Sequence, residues 1–194
     1  MPEPAKPAFQ GEIQKMGKAA NGWVHPRLIG NYRTDYVMRS IANYTGIWAN
    51  NSKEVVYFAG QGLDGSQTYT QTYPKDALPS SKARYFWSVI AVDAADYKVI
   101  PNSLNRHLLN KQSQLKLNDD GSLTLAFAPK QPDGIPESNW LPTPNGKKYN
   151  LTYRFYGPSK DVSDGTYYPP PLVRISETQT EKFIRSLKKS TTKK

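Results

Sequence analysis

Bulky and polar positions alternate along much of this chain, in short stretches separated by Gly, Pro, Asn and Asp. From Tyr149 to Tyr156 the alternation is complete. Tyr149, Leu151, Tyr153 and Phe155 fall on one side; Asn150, Thr152, Arg154 and Tyr156 fall on the other, as along a strand. Val55 to Ala59, Gln67 to Tyr73 and Arg84 to Val92 read as further strands, the last as the central one. Ser113 to Leu117 and Ser122 to Ala128 flank Asn118-Asp119-Asp120-Gly121, which predicts a β-hairpin closed by a glycine free to take positive φ. One stretch has helical spacing, Thr34 to Ile47. Thr34 is placed as N-cap, Asp35 sits in the first turn, and Gly46 marks the stop. Val37, Met38, Ile41 and Tyr44 form the packing face of that helix.

These elements predict a mainly β fold: an antiparallel β-sandwich, jelly-roll-like, with one N-terminal amphipathic helix. Three regions are expected: a lead-in or linker over 1–21, the sandwich domain over 22–176, and a basic tail over 177–194, disordered or a short helix.

Composition sharpens the picture. With 194 residues there is enough chain for one domain with a substantial core. The mean hydropathy of -0.70 is polar, but the apolar content is rich in Tyr (13), Phe (6) and Trp (4), residue types that suit a pleated surface. Sixteen Pro and 13 Gly break the chain into short runs. No run approaches the roughly 20 apolar residues of a membrane helix; the longest, Tyr85 to Val92, is broken by Ser88 and stops at Asp93. The opening MPEPAKPAFQ lacks the basic and apolar regions of a secretory signal. The absence of cysteine removes disulfides and thiolate sites. Of the net charge of +10, the segment from Glu177 to Lys194 supplies +4, with six basic and two acidic residues. The rest is spread without a dense run, so nucleic acid is not the expected partner.

Three stretches carry a family resemblance. The first is Gly46-Ile47-Trp48-Ala49-Asn50-Asn51 leading into Val55-Val56-Tyr57. The second is Phe86-Trp87-Ser88-Val89, then Asn102, Asn105 and Arg106, then Asp119-Asp120-Gly121-Ser122-Leu123. The third runs from Asn139-Trp140-Leu141-Pro142-Thr143-Pro144 through Arg154-Phe155-Tyr156-Gly157-Pro158 to Asp164-Gly165-Thr166-Tyr167 and Pro169-Pro170. In this order they resemble the uncharacterised bacterial family known as domain of unknown function twelve-fourteen, over about residues 22 to 175. The resemblance implies the C-terminal module of a two-module β-rich protein, and hence a second β-rich module as partner. It also implies a periplasmic or secreted setting, and brings no activity with it. Two positions depart from the family pattern: His107 follows Arg106 where an aromatic is usual, and Ser80 to Arg84 replaces a shorter segment before Phe86.

Recognisable reactive constellations are not found. His25 and His107 are far apart and no cysteine can join them, so no metal site is expected. Asn118-Asp119-Asp120-Gly121 reads as turn chemistry in preference to a calcium loop. There is no Gly-x-Ser-x-Gly elbow and no phosphate-cradling glycine loop. Sequons at Asn43, Asn50 and Asn150 are read as chance. No catalytic residue and no cofactor is assigned.

The candidate ligand-binding residues are Asn139, Trp140, Arg154, Tyr156, Arg106 and His107. Asn139 and Trp140 sit in a proline-stiffened loop, where the indole can either anchor the core or stack on a ligand. Arg154 must pair with oxygen acceptors if buried, and can hold an anion if it lines a cleft. Asn102 and Arg106 read as a turn lock. The expected function is a non-catalytic module binding a sugar-like ligand or a partner, either a second module or another copy of the chain. A hydrolase-type site shared with a second module, using Arg106, His107, Asn139 and Arg154, and a structural assembly role are the alternatives.

Overall fold

The computed structural model describes residues 17–26, 29–45 and 50–175. Two sheets face each other across one aromatic core. The larger has six strands in the order β1 (Gly17–Ala20), β2 (Trp23–Pro26), β3 (Val55–Asp64), β9 (Lys148–Pro158), β5 (Ala83–Asp93), β6 (Leu108–Asn110). The smaller orders β10 (Val173–Ile175), β4 (Thr68–Tyr73), β7 (Leu123–Ala128), β8 (Trp140–Pro142). Two short α-helices, α1 (Tyr36–Thr45) and α2 (Lys160–Ser163), and three 3-10 turns complete the described elements. The mainly β two-sheet architecture is as expected, with one exception to its antiparallel character: β7 and β8 run parallel.

The alternation in β9 explains the core. Tyr149, Leu151, Tyr153 and Phe155 are all fully buried and meet Trp87 and Val89 of β5 and Phe58 of β3. Tyr73, Leu125, Phe127 and Leu141 close the layer from the smaller sheet. Each such side chain contributes roughly 1.5–3 kcal/mol through burial. Trp23 meets Tyr153 edge to face at 5.2 Å and Phe58 meets Phe155 likewise at 5.8 Å, while Tyr153 lies stacked with Trp87 and Phe155. β9 bonds to both β3 and β5 along its length and shares the middle of the sheet with β3, while β5, expected to be central, is an interior strand between β9 and β6. The buried Tyr153 hydroxyl donates to Gln71 Oε1, and Gln71 Nε2 donates to the Pro170 carbonyl. Trp23 Nε1 reaches the same carbonyl at 2.9 Å.

Several local expectations need correction. The predicted hairpin is absent, although its turn forms: Asn118 N donates to Ser122 O, and Asp120 Oδ1 accepts from the Ser122 amide and hydroxyl. The segment before it is not a strand. Residues 111–113 make a 3-10 turn capped by Asn110, Gln114 is left-handed, and the chain then crosses over the outer face of β7. β7 pairs instead with β4 and β8. The helix begins one residue later than expected, with Asp35 as its cap; Asp35 Oδ1 accepts from Met38 N at 2.8 Å. Met38 and Ala42 are buried but Val37 is half exposed, so Val37 leaves the packing face. Residues 17–20, placed in the lead-in, form β1, which pairs with β2 through an Asn21-Gly22 turn. Residues 1–16 and the basic tail lie outside the described residues. Asn150, a sequon position, is buried, and its Oδ1 accepts from Gly62 N where the β3–β9 register shifts.

Asp161 joins α2 to the start of β5. Burial works against its carboxylate, but Lys82 Nζ at 2.7 Å, the Ser159 hydroxyl and the Val162 amide outweigh that and lower its pKa. A carboxyl held lower in the folded chain than in the unfolded one stabilises above the unfolded pKa and loses that contribution as pH falls through the folded value. Because the carboxylate is 39% exposed, solvent screening keeps this below about 1 kcal/mol. Asp161→Asn is therefore expected to cost under about 1 kcal/mol at pH 7 and to flatten the acid limb of stability below about pH 4. Urea melts at pH 2.5 and 7 measure both.

Candidate functional site

The six candidate residues divide between opposite sides of the sandwich. Leu141 points into the core, so its neighbour Trp140, paired with Ala126, faces outward from the smaller sheet. Its indole donates to Ala128 O at 2.9 Å. Asn139 is 1% exposed, and its side chain is spent on backbone: Nδ2 donates to Lys116 O and Thr124 O, and Oδ1 accepts from Lys116 N. Arg106 forks onto the Glu137 carbonyl and carboxylate and the Trp140 carbonyl. His107 Nδ1 donates to Ile100 O at 3.2 Å. Asn102 locks the same turn, with bonds to Arg106 N and O. Asn139, Trp140 and Arg106 tie loops over the smaller sheet, and His107 closes the 100–107 loop that leads into β6.

Arg154 and Tyr156 lie elsewhere, on the outward face of β9 in the larger sheet. Here β5 carries a bulge. Ala83 pairs with Pro158 and Phe86 with Tyr156, so β5 holds one residue more than β9 between these pairs. The extra residue turns Tyr85 out to 70% exposure. Opposite it Gly157 has φ of 61°, and a Cβ there would stand 2.6 Å from Tyr85 Cδ2. The missing side chain is what lets the Tyr85 ring lie against the strand.

The bulge opens two recesses, of about 720 and 600 Å³, that share Lys53, Tyr85 and Gly157 and so form one groove. Phe86, Arg154 and Tyr156 line one end; Ser80, Ser81 and Arg84 line the other. Asn139, Trp140, Arg106 and His107 line neither. The Phe86 ring packs against Tyr156 at 5.8 Å, and the Arg154 guanidinium lies 6.0 Å from the Phe86 centroid. Arg154 Nε donates to the buried Ser88 hydroxyl at 2.9 Å, which fixes the plane of the fork. Arg84 stacks over Tyr85 at 5.1 Å. On the same outward face, burial pushes the Tyr57 phenol up to about 12, the adjacent Tyr156 phenol adds to the shift, and Arg154 opposes it. That phenol stays protonated at neutral pH.

The carboxylate lining the groove is Glu54, against three cations: Lys53, Arg84 and Arg154. The arrangement can stack a ring and hold an anion. Among the described residues no three His, Asp or Glu side chains group closely enough to hold a metal ion, and no helix is long and apolar enough to cross a membrane. Lys53, Arg84, Tyr85 and Gly157 were not found from the sequence. The available signal was the run Tyr85-Phe86-Trp87, three aromatics that strict alternation cannot place together.

The chain is similar to the crystal structure of the VPA0106 protein from Vibrio parahaemolyticus, with a TM-score of 0.60 and 23% identity, over 90% of this chain and 43% of that one. That likeness shows a shared fold. An uncharacterized protein from Burkholderia cenocepacia is more distant, with a TM-score of 0.44 and 18% identity over 63% of this chain and 30% of that one. This chain thus spans less than half the length of either structure. No curated protein matches it. The family profile described as "Protein of unknown function (DUF1214)" matches residues 55–160, more than half of the chain. The family resemblance holds over that region, which leaves out Gly46 to Asn51 and Asp164 to Pro170, and the chain belongs to the DUF1214 family of proteins of unknown function.

Proposed function

We propose that this domain is a ligand-binding module whose site is the groove at the β5 bulge, and that its ligand is a small ring compound of sugar-like size. The observation that carries this reading is the exposed Tyr85 ring seated on Gly157 between cations that form no ion pair among the described residues. Asn139, Arg106 and Lys82, by contrast, are committed to partners within the fold: backbone, Glu137 and Asp161. A ring stacked on an aromatic face and oriented by a few polar groups is a common mode of small-molecule recognition. Of the residues expected to bind, Arg154 and Tyr156 belong to this site, and Lys53, Arg84 and Tyr85 join them.

A thermal-shift screen of neutral and acidic sugars and common metabolites tests the reading. A ligand at 100 times its Kd adds about 2.7 kcal/mol of stability, which raises Tm by several degrees. Tyr85→Ala is expected to abolish most of that shift while leaving the ligand-free Tm within about a degree, because the side chain is mostly exposed. A hit that stabilises the variant as well as the parent places the site elsewhere.

A partner domain is the second reading. Tyr57, Phe86, Ile90 and Leu108 share the outward face of the larger sheet and are only half-buried, while the VPA0106 chain extends well beyond the region of likeness.

A further inference from the structure

The three cations of the groove face a single carboxylate, Glu54. Lys82, one strand end away, is paired with Asp161, and Arg106 with Glu137. Among the described residues Lys53, Arg84 and Arg154 form no ion pair, and the groove keeps an excess of two positive charges over Glu54. Arg154 is the most constrained of the three. Its Nε is held by Ser88 and its guanidinium lies 6.0 Å from the Phe86 centroid, while among the described residues Nη1 and Nη2 have no hydrogen-bond partner. A guanidinium fixed on one edge and open on the other matches the two oxygens of a carboxylate. The Tyr85 ring lines the same recess, and once the Arg84 side chain swings off it, its face suits the C–H face of a pyranose ring.

Building on the binding reading above, we propose that the groove takes a carboxylate-bearing sugar of the uronic-acid class. Its carboxylate sits on the free edge of Arg154 and its ring on Tyr85. The groove continues past Lys53 to Arg84, so a second acidic unit of an oligomer meets a second cation.

The test is a titration of the ¹⁵N-labelled domain with trigalacturonate, maltotriose and inorganic phosphate, following the amides of Tyr85, Phe86 and Gly157. Trigalacturonate is expected to shift these amides, to bind at least tenfold more tightly than maltotriose, and to weaken as salt rises. Arg154→Met is expected to weaken it at least tenfold. Arg154→Lys, which keeps the charge but loses the fork, is expected to weaken it by a factor of about three to ten, with the melting temperature of each variant confirming its fold. Equal binding of maltotriose overturns the uronate proposal and leaves the binding reading intact. Phosphate binding at the same amides without trigalacturonate binding overturns it in favour of a phosphorylated ligand. No response to any of the three overturns it too, and the fate of the binding reading then rests on the thermal-shift screen and the Tyr85→Ala variant.

Discussion

Asn139→Ala is expected to lower the unfolding free energy by about 3 kcal/mol. The side chain bonds three backbone groups: Lys116 O at 2.8 Å, Thr124 O at 2.9 Å and Lys116 N at 2.9 Å. Thr124 lies in a strand buried on both faces, so its carbonyl cannot turn to water when the amide is removed. Each lost bond costs about 1 kcal/mol, and stranding a buried acceptor costs about 1–3 kcal/mol. The Lys116 groups lie near solvent and recover part of their loss, which brings the sum back to about 3. For a chain of this size that is a fall in Tm of roughly 6–12 °C. Urea denaturation should show a lower midpoint at unchanged slope. Lys116→Ala, which keeps the backbone partner, should change stability by less than about 0.5 kcal/mol. A loss under about 1 kcal/mol for Asn139→Ala would mean that the loops over the smaller sheet hold without this amide.

Gly65→Ala is expected to cost at least about 3 kcal/mol and to reduce the yield of folded protein. Gly65 sits in the turn between β3 and β4, pressed against the loop that enters β9, and its N–H donates to Lys147 O at 2.9 Å. A Cβ would stand 1.9 Å from Pro144 O and 2.4 Å from Lys147 O. Both obstacles are backbone, so no rotamer relieves them. The turn must withdraw, and the hydrogen bond to Lys147 goes with it. Ser66→Ala, one residue on and exposed, should stay within about 0.5 kcal/mol of the parent. Chemical denaturation of the two variants side by side isolates the close approach from the general effect of mutating a turn. Equal stability for both would mean that the turn has room to move.

Most of the β elements were legible because their physics is local. The Tyr149–Tyr156 alternation became β9, and Val55, Thr68 and Ala83 open strands close to where the pattern placed them. What failed depends on contacts distant in sequence. Asn118 to Gly121 was rightly read as a turn, but whether the chain returns as a paired strand depends on Asn139, 23 residues beyond Lys116, which holds the segment across the sheet instead of beside it. The Asn21-Gly22 turn was available in the sequence and was passed over. Both residues have positive φ, as a two-residue hairpin needs, yet the strands beside it are four residues each and lack the length that makes a pattern visible.

The candidate site was half legible for a similar reason. Arg154 and Tyr156 were placed on an outward face by alternation. Tyr85 was not, because period two puts it inside with Trp87, and only the bulge reverses it. Trp140 and Asn139 attracted a functional reading for properties that equally suit an anchor: an indole N–H and an amide, both of which found carbonyls.

The Pro170 carbonyl has a consequence for how the fold comes apart. It accepts from Trp23, near the beginning of the described chain, and from Gln71, which in turn holds Tyr153 at the centre. Asn21 and Lys18 are also tied to this region, through Pro169 O and the Tyr168 hydroxyl. The hairpin of β1 and β2 and the extended segment before β10 therefore act as one clasp. Peeling either away strips donors or acceptors from the other and uncovers the phenol of Tyr153, so these two segments are released together, and the middle of the sandwich is exposed with them.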